Sequence, residues 1–188
     1  MKSLIIYAHP WDGSFNRFVL ETVKTKILNK GHTIDVIDLN KDNFNPVMTS
    51  NDLAVFAKGK YADSLAENYA DRLVDADELV LIFPIWWYGE PAILKGFYDK
   101  VFLKNKVYKD NPDKSISGLL KSNQATIITT GNIDKTIFTY LGDPIKNVLA
   151  NGILKTVGIE SVKWIHCPTV HLDDSRKSFL AEIDKHFK

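Results

Sequence analysis

Cysteine is almost absent: Cys167 is the one cysteine in 188 residues, so no internal disulfide can form. A chain without disulfide staples fits a reducing compartment, and a cytoplasmic location is expected. Net charge is nearly absent as well, with 24 Lys and Arg against 23 Asp and Glu. That balance lacks the basic footprint of a nucleic-acid binder, and no nucleic-acid partner is expected. The apolar N-terminal stretch, Met1 to Tyr7, is too short for a signal peptide or a membrane span, so no membrane insertion is expected. It reads instead as a first strand. Neither Gly-Lys-Ser/Thr nor G-x-G-x-x-G follows it, which argues against a nucleoside triphosphatase and a standard Rossmann dehydrogenase. Internal repeats, low-complexity tracts and interdomain linkers are also missing. One domain over residues 1–188 is therefore expected.

What is present is a series of five apolar, β-branched-rich runs: Ser3–Ala8, Thr33–Leu39, Glu78–Phe83, Ala125–Thr130 and Ser161–Cys167. Segments of helical spacing lie between them. Phe15, Val19, Val23 and Ile27 recur at fours before Gly31, a helix stop. Leu65, Tyr69, Leu73 and Ala76 share a face after Asp63-Ser64. Leu94, Phe97 and Val101 do so after Pro91, which suits a first helical turn. Leu180, Ile183 and Phe187 form a last stripe, with Asp173-Asp174 as expected caps. Strand alternating with helix predicts a parallel sheet covered on both faces. Two connections are long: Asn40–Ala62, with a short helix expected after Ser50, and the polar stretch Lys104–Gln124. The second is expected to return over a pocket or to meet a partner subunit.

Open parallel sheets bind ligands beyond the carboxyl ends of their strands. Three loops fall there. The first holds His9 and then Ser14-Phe15-Asn16, which leads straight into a helix whose free N–H groups suit an anion. Ser14 serves either as a simple helix cap or as part of that anion site. The second, Pro84-Ile85-Trp86-Trp87-Tyr88-Gly89, is aromatic enough to line a flat ligand, to pack under a helix, or to form a dimer seam. The third, Thr129-Thr130-Gly131-Asn132, offers two hydroxyls and an unhindered backbone, for a heterocycle's polar edge or for an ordinary turn. Taken together, the loops offer sites for a phosphate, a flat ring and a polar ring edge. These are the parts of a flavin nucleotide.

The motifs Ala8-His9-Pro10 with Ser14-Phe15-Asn16, Phe83-Pro84 with Trp87-Tyr88-Gly89 and Pro91 to Gly96, and Thr129-Thr130-Gly131 together resemble the NAD(P)H:quinone oxidoreductase family. That flavodoxin-like group includes DT-diaphorase and bacterial modulators of drug activity. Asp38-Leu39, Phe44-Asn45-Pro46 and Asp99-Lys100-Val101-Phe102 extend the resemblance, which runs to about Gly158. It implies a doubly wound five-stranded parallel sheet of order 2-1-3-4-5 with helices on both faces. It also implies a bound flavin, FAD with FMN as alternative, NAD(P)H as co-substrate, and a quinone-like acceptor reduced by a ping-pong mechanism. His9, Ser14, Phe15 and Asn16 would cradle phosphate, Pro84 to Gly89 would line the isoalloxazine, and Thr129 to Asn132 would meet its pyrimidine side. Relatives are homodimers with the active site at the subunit boundary, which gives Tyr108 a place over the partner's flavin.

The chain also departs from that pattern. Asn132 replaces a second glycine, no histidine occurs between His32 and His166, and Asp110 replaces a second tyrosine of the partner loop. Tyr140 is the remaining candidate for the tyrosine that assists hydride transfer. Two other functions are compatible with such a fold, a flavodoxin-type electron carrier and a regulatory subunit of a potassium-efflux system. Flavodoxins are usually acidic, and this chain is not.

Overall fold

A computed structural model describes residues 1–188. In chain order the elements are β1 (Lys2–Tyr7), α1 (Phe15–Asn29), β2 (Thr33–Asp38), α2 (Ser50–Phe56), α3 (Ser64–Asp75), β3 (Glu78–Pro84) and α4 (Ala92–Val101). There follow β4 (Tyr108–Asp110), β5 (Ile116–Gly118), β6 (Gln124–Thr130), α5 (Lys135–Tyr140), a π-helix (Ile145–Leu154), β7 (Ser161–Cys167) and α6 (Asp173–His186). The main sheet has the order β2-β1-β3-β6-β7 and every pairing in it is parallel. Counting only these five strands, that is the expected 2-1-3-4-5.

Side chains alternate across each strand, and both faces are apolar because both are covered. Ile5, Tyr7, Val80, Ile82, Ile128 and Ile165 meet α1 and α6 on one face. Leu4, Ile6, Leu79, Leu81, Phe83 and Ile127 meet α3, α4 and the π-helix on the other. All five expected strands are present, with ends moved by no more than a residue. No helix is long and apolar enough to cross a membrane.

The helix ends follow local chemistry. Ser14 caps α1 by accepting the Arg17 N–H at 3.2 Å, and Gly31 leaves the helix at φ 75°. Asp63 caps α3 through the N–H of Leu65 at 2.9 Å. The last helix differs from expectation. Leu172 occupies its cap position and makes no side-chain bond, while Asp173 and Asp174 sit in the first turn. There they favour the positive helix end without capping it. Its buried stripe is Phe179, Ile183 and Phe187, with Leu180 only half-buried.

The two long connections are ordered. Asn40–Ala62 contains α2, opened by a capping box in which Thr49 and Asp52 satisfy each other's N–H groups. Lys100, with 3% of its side chain exposed, pins this connection through Asp63 Oδ2 at 2.7 Å and the Asn45 carbonyl at 3.1 Å. Lys104–Gln124 folds into the antiparallel ribbon of β4 and β5. The ten-residue π-helix has no counterpart in the sequence expectations, and π-helices of that length are rare.

Gly96 on α4 allows the Asn45-Pro46 segment to lie directly on the helix. A Cβ there would stand 2.3 Å from both the Pro46 Cβ and its carbonyl oxygen. Gly96→Ala is expected to destabilise the fold by about 1–3 kcal/mol, as overpacking of a close contact does. Urea unfolding monitored by circular dichroism checks this, and an unchanged midpoint would show that the segment yields freely.

Candidate active site

A cleft of about 580 Å³ opens at the carboxyl edge of the sheet, where the loops after β1, β3 and β6 meet. Its position follows from topology. The strand order reverses direction between β1 and β3, and the connections leave to opposite faces, opening a crevice between them.

The first wall is the start of α1. The N–H groups of Phe15 and Asn16 donate to no other atom of the chain, as the first N–H groups of a helix must unless capped. Asn16 is 4% exposed. Its Nδ2 donates to Thr130 Oγ1 at 2.7 Å, which ties the helix start to the end of β6. Its Oδ1 is buried and has no partner within the chain. A buried acceptor without a donor calls for one from outside the protein. His9 Nδ1 accepts the Trp11 N–H at 3.1 Å, which leaves Nε2 as the ring's donor in the neutral form. Burial holds the His9 pKa below its ordinary value, so this neutral form is favoured.

The second wall is the aromatic loop, a two-residue hairpin turn. Trp86 and Gly89 exchange N–H···O bonds of 3.0 and 3.2 Å, and Trp87 and Tyr88 between them have φ of 50° and 68°. Positive φ at both central positions is what a type I′ turn requires, and it normally selects Asn and Gly. Two aromatic residues there cost about 1–2 kcal/mol each in backbone strain. The strain has a geometric result. Trp86 and Tyr88 are about half exposed, Trp87 is 95% exposed, and the N–H groups of Trp87 and Tyr88 are left without partners in the chain. Strain retained at such a turn is a mark of function.

The floor is the end of β6. Pleating sends neighbouring threonines to opposite sides. Thr130 faces Asn16 and the cleft, while Thr129 is fully buried behind it. There Thr129 joins a directed chain of hydrogen bonds. His166 Nε2 lies 2.8 Å from the Ile133 carbonyl, which can only accept, so Nε2 carries the proton. Nδ1 therefore accepts from the Thr129 hydroxyl at 2.8 Å, and the Thr129 oxygen accepts the Trp164 Nε1–H at 2.9 Å. The chain fixes a neutral imidazole beneath the loop that carries Gly131, Asn132 and Ile133. Above it, the Asn132 carboxamide meets His171 Nδ1 at 3.0 Å.

Of the residues expected at a site, His9, Ser14, Phe15, Asn16, Pro84, Ile85, Trp86, Trp87, Tyr88, Thr130, Gly131 and Asn132 line this cleft. Gly89 closes the aromatic turn without lining the cleft, and Thr129 supports it from behind. Tyr108 lies elsewhere, in a second cleft of about 440 Å³ with Tyr98, Phe102, Ile153 and Val157. Tyr140 is 88% exposed at the end of α5 and does not line the first cleft. Sequence reasoning missed Trp11, Ile133, Val170 and Arg176, all of which line it. The Arg176 guanidinium stacks over the Phe15 ring at 4.9 Å and donates through Nε to the Val170 carbonyl, unpaired with any carboxylate. Only the packing of α6 beside α1 brings it there.

The family profile of Flavodoxin_2, described as a flavodoxin-like fold, matches residues 1–187. The chain belongs to this family. Among its relatives, an uncharacterized NAD(P)H oxidoreductase of Haemophilus influenzae is 33% identical over 187 residues, covering 97% of this chain and 92% of that one. The ribosyldihydronicotinamide dehydrogenase [quinone] of Pongo abelii is 33% identical over 147 residues, covering 69% of this chain. Only 63% of that longer protein is spanned. The crystal structure of Smu.1420 from Streptococcus mutans is 35% identical, with a TM-score of 0.83 over 100% of this chain and 98% of that one. The expected kinship with NAD(P)H oxidoreductases of flavodoxin-like fold is thus borne out.

Burial lowers the pKa of His166 from its ordinary value of 6.5. The folded protein therefore resists a proton that the unfolded chain accepts. The resulting stability is complete above about pH 6.5 and is lost as pH falls from there toward the folded value. Burial lowers His9 and His186 in the same direction. The urea midpoint is expected to fall between pH 7 and pH 5, and His166→Gln is expected to flatten that slope. An unaltered slope in the variant would assign the pH dependence to other groups.

Proposed function

We propose that this protein is a flavin-dependent NAD(P)H oxidoreductase that reduces a quinone or similar acceptor. The observation that carries the reading is the convergence of three unsatisfied features on one cleft. They are the free N–H groups of Phe15 and Asn16, the buried Asn16 Oδ1 without a donor, and the unpaired N–H groups of Trp87 and Tyr88. A flavin nucleotide matches them in chemistry: phosphate accepts, ribityl hydroxyls donate, and the heteroatoms of the ring accept. The kinship with NAD(P)H oxidoreductases supports the same reading.

On this reading Ser14, Phe15 and Asn16 hold phosphate at the helix start, with His9 beside them as a further donor. Pro84 to Gly89 hold the flat ring, and Thr130, Gly131 and Asn132 meet its polar edge. Thr129 positions that loop through His166. The chemistry that a bound flavin supplies is two-electron transfer, hydride taken from NAD(P)H and electrons passed to the acceptor. The residues supply the rest. The N–H groups of Trp87 and Tyr88 are fixed donors that stabilise negative charge developing on a ring placed against the turn. The exposed aromatic faces of Trp86, Trp87 and Tyr88 exclude water from one side of a stacked ring. Donor and acceptor occupy the same aromatic face in turn, which gives ping-pong kinetics.

A face carrying a Trp exposed as Trp87 is covered by a second copy, making a homodimer with shared sites. Tyr108 and the π-helix, which frame the second cleft, are the elements offered to that partner. Tyr108 then reaches over the partner's flavin toward the acceptor, and Tyr140 is the candidate for a tyrosine that assists hydride transfer. The flavin is FAD, with FMN the alternative, and the acceptor class is quinone-like.

The test begins with apoprotein reconstituted with flavin under anaerobic conditions. NADH or NADPH is expected to bleach the flavin band and a benzoquinone to restore it, with parallel double-reciprocal plots at varied acceptor. Failure to retain any flavin would sink the proposal, and bleaching without quinone turnover would point to an electron carrier. Asn16→Asp places a negative charge beside the phosphate site and is expected to weaken flavin affinity about tenfold or more. Equal affinity in calorimetric titration would remove Asn16 from the site.

A further inference from the structure

His171 does not line the cleft, yet it holds a side chain that does. It lies in the loop after β7, and its Nδ1 stands 3.0 Å from Asn132 Oδ1. Asn132 lines the cleft, so its carboxamide has the imidazole on one side and the cleft on the other. Backbone bonds fix the two loops against each other at this point. The Gly131 N–H donates to the Cys167 carbonyl at 3.0 Å, and the Gly131 carbonyl accepts the Val170 N–H at 2.9 Å. Asn132 also forms an antiparallel bridge with Thr169. The Leu172 N–H closes the turn around His171 by donating to the Thr169 carbonyl at 3.1 Å. Pairing of imidazole with carboxamide therefore has only two side chains left to order.

A carboxamide has two ends of similar shape and opposite polarity. Asn132 Oδ1 can only accept, so His171 Nδ1 carries the proton of this bond. Nδ2 keeps both of its N–H bonds and has no acceptor for them within the chain. The reverse orientation would present the oxygen to the cleft, where the heteroatoms of a ring edge themselves accept. No other side chain bonds to Asn132, so His171 alone chooses between the two orientations.

We propose that His171 is a positioning residue: by holding Asn132 Oδ1 it aims the Nδ2 donor into the cleft, where that donor favours the reduced over the oxidised ring. The proposal rests on the flavin reading and extends it. A fixed donor gains strength as negative charge develops on its acceptor, since hydrogen bonds to charged groups are about twice as strong as neutral ones. His171 acts through Asn132 and not on the ring itself.

The test is an anaerobic redox titration of the flavin-loaded protein, using wild type, His171→Ala, His171→Asn, Asn132→Ala and the double alanine variant. His171→Ala is expected to lower the ratio of reduced to oxidised flavin affinity about fivefold, a fall of about 20 mV in the two-electron midpoint. His171→Asn sets an amide nitrogen as many bonds from the backbone as Nδ1, and it is expected to restore most of the wild-type midpoint. In the Asn132→Ala background, His171→Ala is expected to change the ratio by less than about twofold. A wild-type midpoint in His171→Ala would overturn the proposal. An undiminished fall in the Asn132→Ala background would overturn it too, since the imidazole would then act directly on the ring. So would failure of His171→Asn to restore the midpoint, which would make the loss one of loop packing. Wild type that retains no flavin would instead overturn the flavin reading itself, and this proposal with it.

Discussion

The 2.7 Å hydrogen bond from Asn16 Nδ2 to Thr130 Oγ1 joins residues 114 apart in sequence, and the cleft depends on it. Both residues are buried, so losing either partner would leave a polar group unsatisfied, at a cost of about 1–3 kcal/mol. The bond sets the start of α1 against the end of β6, so that Phe15, Asn16 and Thr130 line one cleft. Thr129 anchors the same strand end from the opposite side, through His166 to Ile133 and from Trp164. Two adjacent threonines thus hold one strand end from both faces of the sheet, which only the two-residue pleat allows.

The walls of the cleft differ in how they are made. The helix start is relaxed, with Ser14 an ordinary cap and the free N–H groups a property of any helix end. The aromatic turn is strained, with positive φ at Trp87 and Tyr88 retained by the reciprocal bonds of Trp86 and Gly89. Trp87, at the tip of the strained turn, is almost wholly exposed.

Much of this was legible beforehand, for identifiable reasons. The five strands were readable because a parallel sheet buried on both faces leaves unbroken apolar runs. The three loops were readable because strand ends and helix caps carry local signals. In the last helix Ile183 and Phe187 were read as buried, but Phe179 was missed and Leu180 is only half-buried, because both sit side by side at the same end of the stripe. The ribbon of β4 and β5 was not seen, since strands of three polar residues lack apolar alternation. Nor was the π-helix, whose hydrogen-bond period leaves no simple pattern in sequence.

The sequence by itself determined the alternation of strands and helices, the kinship, and the chemical types gathered at the strand ends. Those depend on neighbours within a few residues, where composition and period decide the outcome. The tertiary structure alone decided that Thr130 faces the cleft and Thr129 the His166 network. It also decided that α6 delivers Arg176 to Phe15, that the Trp11 ring lies over Gly13, and that Tyr108 stands away from the first cleft within its own chain. Each of these follows from strand register or from packing between distant segments, and neither leaves a mark in the spacing of nearby residues.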